Sequence, residues 1–179
     1  MPSPTAFTSP TVATNDASIG TTAWFINTTY DDDGSSLITC TCPVDKTTSN
    51  YLEMTGYGFS LPVASALAGI EVALSLTLSG GTNATLYAQL LKNGNLAGVQ
   101  KSLYPATYTT FGSNIDKWSA TWSQAELSAS NFGVAIWVVG GSNGIDVSLT
   151  GATIRLYYAE GASSPGSSTS GHFLFTWII

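Results

Sequence analysis

Residues 70–79 carry an alternation of apolar and polar or small side chains that runs without a break. The apolar positions are Ile70, Val72, Leu74, Leu76 and Leu78. Successive side chains of a strand point to opposite faces, so a period of two predicts a strand with one buried face. Burying five such side chains contributes about 10 kcal/mol before the chain entropy is subtracted. The segment therefore places the chain in the β class.

Similar alternation recurs at residues 132–138 and 154–158, and Asn93-Gly94 is a strong hairpin signal. We predict strands at about 23–29, 36–43, 51–60, 69–79, 84–92, 97–104, 116–122, 132–139 and 145–158. Helical periodicity is confined to a turn at residues 124–130. Short strands separated by turn signals predict an all-β fold, a single antiparallel two-sheet β-sandwich of the jelly-roll type.

Composition divides the 179 residues into three parts. Residues 1–20 are rich in Pro, Ser and Thr and predict an extended N-terminal arm. Residues 21–160 are predicted to form the β-sandwich domain, which is enough chain for one core. Residues 161–179 are predicted to be a Gly/Ser linker followed by an apolar C-terminal docking segment, HFLFTWII.

Charge excludes several classes of partner. The chain has a net charge of −6 and only five Lys and Arg residues, which are scattered rather than clustered. Nucleic-acid binding requires clustered cations, so we expect no nucleic-acid partner. We also expect no membrane partner, because no apolar run reaches the about 18 residues that span a bilayer. Residues 1–10 lack the basic and apolar parts of a signal peptide, which favours folding in a cytoplasm.

Candidate reactive residues do not form a recognisable catalytic set, so we expect no enzymatic activity. His172 is the one histidine and lies beside the predicted linker, where no orienting acid or nucleophile is close in sequence. Glycoside hydrolysis needs two facing carboxylates, and the sequence does not pair any of Glu53, Glu71, Glu126 and Glu160.

Two short motifs raise the possibility of a metal. Asp31, Asp32 and Asp33 offer carboxylates to calcium, but the run lacks the alternating oxygens of an EF-hand and also suits an acidic turn. Cys40 and Cys42 share one face of a strand, so a disulfide between them would be strained. We predict two free thiols packed as small apolar groups, and no cofactor or structural metal.

The apolar ends of the chain predict assembly contacts, because an apolar segment on a polar tether is unfavourable in water. The predicted contact residues are Phe173, Leu174, Phe175, Trp177, Ile178, Ile179 and Phe7. Aromatic rings also suggest an alternative, since exposed Tyr and Trp side chains stack on sugars. Tyr104 and Tyr108, in the segment LYPATYTTFG, are the side chains most expected to face such a ligand.

Several short motifs recur in a fixed order along residues 23–158. They are AW at 23–24, DDGS at 32–35, YGFSLP at 57–62, AGIEV at 68–72, WSQAEL at 122–127, NFGV at 131–134 and IRLYY at 154–158. This ordered series resembles a β-sandwich domain family of virion structural proteins encoded by tailed bacteriophages. Residues 1–20 and 161–179 lie outside the resemblance.

The resemblance implies a virion structural protein without enzymatic activity, made in the cytoplasm of a bacterial host. It implies a head decoration or cement protein, or a small neck- or tail-associated protein. Its expected partners are other virion proteins and further copies of itself, in a homo-oligomer or a many-copy assembly. The alternative is a receptor- or carbohydrate-binding module of a tail fibre, for which an exposed aromatic patch is the distinguishing feature.

Overall fold

The structure, a computed structural model, describes residues 1–27, 38–42, 47–80, 84–104, 108–141 and 144–159. A short helix, α1, spans Gln124–Ser128. Among the residues described, no helix has the length and hydropathy needed to cross a membrane. The strands are β1 (Ser3–Pro4), β2 (Val12–Asp16), β3 (Phe25–Ile26), β4 (Ile38–Cys42), β5 (Tyr51–Thr55), β6 (Ala66–Ser79), β7 (Thr85–Lys92), β8 (Asn95–Leu103), β9 (Tyr108–Gly112), β10 (Gly133–Val139) and β11 (Ile145–Ala159).

The strands form two antiparallel sheets that pack face to face. Sheet A has the order β3-β4-β11-β6-β9, with β1 paired to the end of β11, and sheet B has the order β2-β5-β10-β7-β8. The four-strand sets β4-β11-β6-β9 and β5-β10-β7-β8 give the strand order of a jelly roll, in which the first and last strands of the set are neighbours. The predicted all-β two-sheet sandwich is therefore confirmed.

The centre of sheet A is the pairing of β6 with β11, strands of 14 and 15 residues. The alternation predicted for β6 is confirmed, because Ile70, Val72, Leu74 and Leu76 are buried in the core between the sheets. Facing them from sheet B are Leu52 and Met54 of β5, together with side chains from β7 and β10. This apolar layer holds the two sheets together.

The strand predicted at 116–122 is wrong. An Asp116 carboxylate oxygen accepts a hydrogen bond from the Trp118 backbone N–H at 2.7 Å, which turns the chain locally. Trp118 and Ser119 have positive φ angles of 59° and 55°, which a strand does not allow. The apparent alternation of Trp118, Ala120 and Trp122 therefore belongs to a loop, and Trp118 is fully buried there.

Residues 1–20 contribute two strands that pair within the sandwich. β1 pairs with the end of β11, and β2 pairs along the whole of β5. The predicted strands do not include these two, because strand pairing through the backbone needs no apolar pattern in the sequence. β9 was also missed, and it places Tyr108 opposite Ser75 at the edge of sheet A.

We predict that Trp118→Ala lowers the free energy of unfolding by about 3–5 kcal/mol, the usual cost of truncating a buried aromatic side chain. The indole also donates a hydrogen bond from Nε1 to the Ile70 carbonyl at 3.1 Å, which the variant loses. Guanidinium denaturation measures the change. Ile115→Ala, in the same loop but 77% exposed, is the control and should change the stability by less than about 0.5 kcal/mol. Equal effects of the two variants would contradict the burial of Trp118.

Candidate functional site

One end of the sandwich carries a cleft of about 430 Å³. It lies between the segment that leads into β6 and the segment that leads into α1. The lining residues are Leu61, Ser65, Ala66, Leu67, Lys117, Ala120, Thr121, Trp122, Ser123, Gln124 and Leu127. This volume lies in the range of about 300–1,000 Å³ that is usual for ligand pockets.

Gln124 fixes the two walls of the cleft relative to each other. Its Nε2 donates hydrogen bonds to the Pro62 carbonyl at 2.6 Å and to the Leu61 carbonyl at 3.3 Å. The same group lies 3.3 Å from the Ser65 hydroxyl. A side chain of α1 thereby satisfies backbone acceptors in a segment remote in sequence, so the opening of the cleft is set by side-chain to backbone hydrogen bonds.

The wall formed by α1 begins with a capping box. The Ser123 hydroxyl accepts from the Glu126 N–H at 3.2 Å, and the Glu126 carboxylate accepts from the Ser123 N–H at 2.7 Å. Lys92 binds the same carboxylate at 2.9 Å. The Ser123 N–H and then Lys92 lower the pKa of Glu126. The S-x-x-E pattern at 123–126 was the signal in the sequence that could have located this wall.

The lining of the cleft is mixed in character. Its apolar residues are Leu61, Ala66, Leu67, Ala120, Trp122 and Leu127, and its polar or charged residues are Ser65, Lys117, Thr121, Ser123 and Gln124. Lys117 is the one charged residue among those that line it, and none of them is an Asp or Glu. This cleft therefore lacks the acid pair that glycoside hydrolysis requires.

Two aliphatic side chains stand out in solvent on the loops that border the cleft. Val63, beside the lining residue Leu61, is 93% exposed. Ile115, two residues before the lining residue Lys117, is 77% exposed. Isolated exposed apolar side chains are ordinary on a protein surface, and these two lie on loops that also contribute residues to the cleft.

Phe7, predicted as an assembly contact, lies over the Arg155 guanidinium of its own chain at 4.2 Å from the ring centre. Arg155 Nη2 donates to both oxygens of Glu71, at 2.9 and 3.1 Å. The Tyr157 hydroxyl donates to the same carboxylate at 2.7 Å. Burial and then the Glu71 carboxylate raise the pKa of Tyr157. These contacts fasten residues 1–8 to sheet A, and Phe7 keeps 40% of its surface exposed.

The two predicted ligand-facing tyrosines have different outcomes. Tyr104 is 56% exposed at the end of β8, which agrees with the exposure expected of it. Tyr108 is in β9, but its side chain lies outside the described residues. The predicted contact residues Phe173, Leu174, Phe175, Trp177, Ile178 and Ile179, together with His172 and the calcium candidates Asp31, Asp32 and Asp33, also lie outside the described residues.

Most described indole and phenyl rings are committed to packing within the chain. Trp24, Trp118 and Phe132 are buried in or beside the core. On the outer face of sheet B, Trp137 stacks on Tyr87 with ring centres 5.2 Å apart, and it meets the edge of Tyr51 at 5.1 Å. The faces of this indole are thus covered by its neighbours, so the cluster is not an open stacking surface for a sugar.

The structure does not bring the candidate carboxylates together. Glu53 lies on the outer face of sheet B, Glu71 lies on the outer face of sheet A, and Glu126 is held by Lys92. Among the residues that the structure describes, no group of three or more His, Cys, Asp or Glu side chains is placed to hold a metal ion. Glu160 lies outside the described residues.

Cys40 and Cys42 are free thiols on the core face of β4, as predicted. Their Sγ atoms are 3.5 Å apart. The hydrogen bond between the two thiols, followed by burial, raises the pKa of Cys40, and the same hydrogen bond lowers the pKa of Cys42. Both side chains are buried, so the pair packs as two small apolar groups.

No protein family matches this chain in a comparison with family models, and no curated protein matches it. Among solved structures it is similar to part of an arabinose-bound α-L-arabinofuranosidase, with 11% identity and a TM-score of 0.42. The similarity covers 82% of this chain but only 24% of that enzyme, so the chain spans about a quarter of the enzyme's length. A likeness at this level carries no information about activity.

We predict that Gln124→Ala loosens the cleft. The variant loses the hydrogen bonds to Leu61 and Pro62 and should be destabilised by about 1 kcal/mol. Hydrogen exchange should accelerate at the Ser65 amide, which bonds to the Pro62 carbonyl in the same loop. Gln100→Ala, an exposed position on β8, is the matched control and should leave exchange at Ser65 unchanged. Unchanged exchange in both variants would show that Gln124 does not fix the loop.

We predict a pH-dependent gain in stability for Glu53→Gln. Burial and then the nearby Asp16 raise the pKa of Glu53, so its ionised form is disfavoured in the folded state. The variant should be more stable than the parent at pH 7 in urea denaturation, and the gain should vanish below the unfolded pKa, at about pH 4.

Glu126→Gln is the control of opposite sign for this measurement. Because the folded pKa of Glu126 is lowered, its charge stabilises the fold at neutral pH, and this contribution is lost as the pH falls through the folded pKa. The Glu126 variant should therefore be less stable than the parent at pH 7. If both variants changed the stability at pH 7 in the same direction, the result would contradict the opposite pKa shifts of Glu53 and Glu126.

Proposed function

We propose that the chain is a non-enzymatic structural component of a tailed-bacteriophage particle, located in the virion and acting through contacts with neighbouring subunits. The observation that carries the proposal is the exposure of two aliphatic side chains, Val63 and Ile115, on loops that contribute residues to the cleft at one end of the sandwich. The ordered motifs along residues 23–158 add the resemblance to virion structural domains.

The physical case begins with the low surface charge. Only 9% of the residues are charged, compared with about a quarter in ordinary domains. Fewer charges mean weaker repulsion between molecules, which favours close association. The exposed Val63 and Ile115 side chains add apolar surface whose burial against a neighbour is favourable.

The edges of the sandwich favour side-chain contacts at this end over pairing along β8. Leu96, Val99 and Leu103 of β8 are partly exposed at the edge of sheet B. However, the Val99 N–H already donates to the Trp118 carbonyl at 2.8 Å, and the Trp118 loop blocks the middle of that edge. A covered edge does not accept another strand along its full length.

A carbohydrate-binding module of a tail fibre is the second candidate. It is favoured by one observation, the 56% exposure of Tyr104 at the end of β8. Binding of the isolated chain to a glycan array, with loss of that binding in Tyr104→Ala, would establish this function in place of the structural one.

The test of the structural function is to look for the protein in purified phage particles. We expect it in intact particles, in a stoichiometry that quantitative mass spectrometry can count. Val63→Asp combined with Ile115→Asp should reduce its incorporation, because each carboxylate would be desolvated against a neighbour.

Phe25→Asp is the matched control, because Phe25 is 70% exposed on β3 and lies level with Thr39, Ser148 and Thr77, at the end of sheet A away from Ala66. This variant should be incorporated normally. Particles that lack the protein, while the infected lysate contains it, would contradict a structural role. Normal incorporation of the double variant would contradict the assignment of this end as the contact surface.

A further inference from the structure

We propose that residues 1–8, the N-terminal segment, exchange between copies of this chain. In the exchanged form the N-terminal segment of one copy pairs with β11 of a second copy, and residues 9–11 act as the hinge. This inference goes beyond the proposed function, because it names a second contact between copies and is tested on the purified chain. Three features carry it: the edge of β11, the attachment of the N-terminal segment, and the hinge.

One edge of β11 is shared by two separate parts of the chain. β4 covers residues 145–149 of that edge, and the N-terminal segment covers the other half. The Thr5 N–H donates to the Leu156 carbonyl at 2.8 Å, and Thr8 and Ile154 exchange two backbone hydrogen bonds of 2.9 Å. If the N-terminal segment leaves, these β11 groups lose their partners, and an open strand edge of this kind binds another strand.

The same edge recognises side chains of the N-terminal segment as well as its backbone. The Thr5 hydroxyl accepts a hydrogen bond from the Leu156 N–H at 3.0 Å. The centre of the Phe7 ring lies 4.2 Å from the Arg155 guanidinium carbon. A second copy carries the same side chains in the same order, so its segment reproduces these contacts without any new complementarity. The occupant that fits an opened edge is therefore the N-terminal segment of a second copy.

The N-terminal segment is attached at the surface and not through the core. None of residues 1–8 is buried, and Phe7 keeps 40% of its surface exposed. Each backbone hydrogen bond contributes only modestly to the attachment, because water replaces the partner when a strand leaves. A strand with few buried apolar contacts opens locally while the rest of the protein stays folded. The segment can therefore leave its own β11 without unfolding the sandwich.

Pro4 restricts the N-terminal segment to pairing on one side. It lies opposite Tyr157, and the neighbouring Thr5 donates to β11, so the nitrogen of Pro4 points away from β11. A proline nitrogen carries no hydrogen, so the outer edge of the segment lacks a donor at this position. An edge interrupted in this way is a poor template for an additional strand. The inner side, which fits β11, is left as the side that pairs.

The hinge is short and stiff. Thr8 is bonded to sheet A, and the Thr11 N–H donates to the Thr55 carbonyl of sheet B at 3.0 Å. The sheets of a sandwich lie about 10 Å apart, and three residues extend by only about 10 Å. Pro10 has a fixed φ angle and holds Ser9 in an extended conformation. Because a taut connection restricts the chain more on closing than a slack one, a short hinge favours exchange.

Disulfide trapping in a mixture of two variants tests the proposal. Ser3 and Tyr158 are partners in the β1–β11 pairing, and Cα atoms of such partners lie about 5.5 Å apart, within reach of a disulfide. Ser3→Cys and Tyr158→Cys are mixed in denaturant, refolded together at high micromolar protein and then oxidised with glutathione disulfide. Exchange predicts dimers bridged between positions 3 and 158, which peptide mapping by mass spectrometry identifies. The native thiols of Cys40 and Cys42 are buried in the folded chain.

Thr14→Cys mixed with Tyr158→Cys is the matched control. Thr14 is exposed on β2, beyond the hinge, so it stays on its own copy in both forms. This mixture measures random collisions, and we expect at least about ten-fold more bridged dimer from the Ser3→Cys mixture. A single chain that carries both Ser3→Cys and Tyr158→Cys should bridge within one molecule at low micromolar protein, which shows that the altered β11 still accepts the segment.

A longer hinge tests the role of residues 9–11. Gly-Ser-Gly-Ser is inserted between Ser9 and Pro10 of the Ser3→Cys chain, and the mixing experiment is repeated. A long flexible connection closes without strain, so the bridged dimer should fall to the level of the Thr14→Cys control.

Equal dimer yields from the Ser3→Cys and Thr14→Cys mixtures would overturn the proposal, because the N-terminal segment would then stay on its own β11. An unchanged yield after the insertion would also overturn it, since residues 9–11 would not act as the hinge. Failure of the double variant to bridge within one molecule would contradict the β1–β11 pairing on which the proposal rests. The particle measurement reads incorporation and not bridging, so the failure of one proposal is distinguishable from the failure of the other.

Discussion

The antiparallel pairing of β6 with β11 is the constraint on which the rest of the structure depends. Both strands run the length of sheet A, from Ala66 to Ser79 and from Ile145 to Ala159. Their inner side chains form one wall of the core, and their outer side chains carry the Glu71–Arg155 pair that fastens the N-terminal segment. Ala66, at the end of the pair where it lies opposite Ala159, also lines the cleft.

The loop between β9 and α1 completes that framework. The Asp116 carbonyl accepts from the Ile70 N–H at 2.8 Å, while the Asp116 carboxylate binds Lys101 of β8 at 2.6 Å. Burial raises the pKa of Asp116, but the hydrogen bonds from Lys101 and the Trp118 N–H outweigh it and the pKa is lowered. The loop thus joins an inner strand of sheet A to the edge of sheet B, and the buried Trp118 side chain anchors it. Since Lys117, Ala120 and Trp122 follow in the same loop, this anchoring also fixes one wall of the cleft.

The fold class and the main strands could be predicted from the sequence. β6 buries one face, and apolar residues therefore recur at every second position along it. The loop at 113–123 could not be predicted, because its residues alternate as they would in a strand. The Asp116 carboxylate accepts a hydrogen bond from the Trp118 backbone N–H, and this local bond turns the chain where a strand was expected. β1 and β2 were missed for another reason. They are held by backbone pairing to β11 and β5, which leaves little trace in residue type.

The candidate site was less predictable than the fold. The capping box at Ser123 and Glu126 is a local pattern, so the start of α1 can be predicted from the sequence. The hydrogen bonds from Gln124 to Leu61 and Pro62 cannot be predicted in this way. They join segments far apart in the chain, and their acceptors are backbone carbonyls, which every residue has. The function proposed for the chain accordingly comes from a resemblance and from an apolar surface, and the cleft itself was visible only after folding.

Native-state hydrogen exchange tests the central claim most directly, because it ranks the stability of each strand separately. The account predicts that the amides of Glu71, Ala73, Thr153 and Arg155, whose N–H groups face across the β6–β11 pair, exchange only through global unfolding. Their free energies of exchange should equal the free energy of unfolding from denaturation. Exchange of these amides through a local opening, at lower free energy than the amides of β5 and β10 in sheet B, would contradict it.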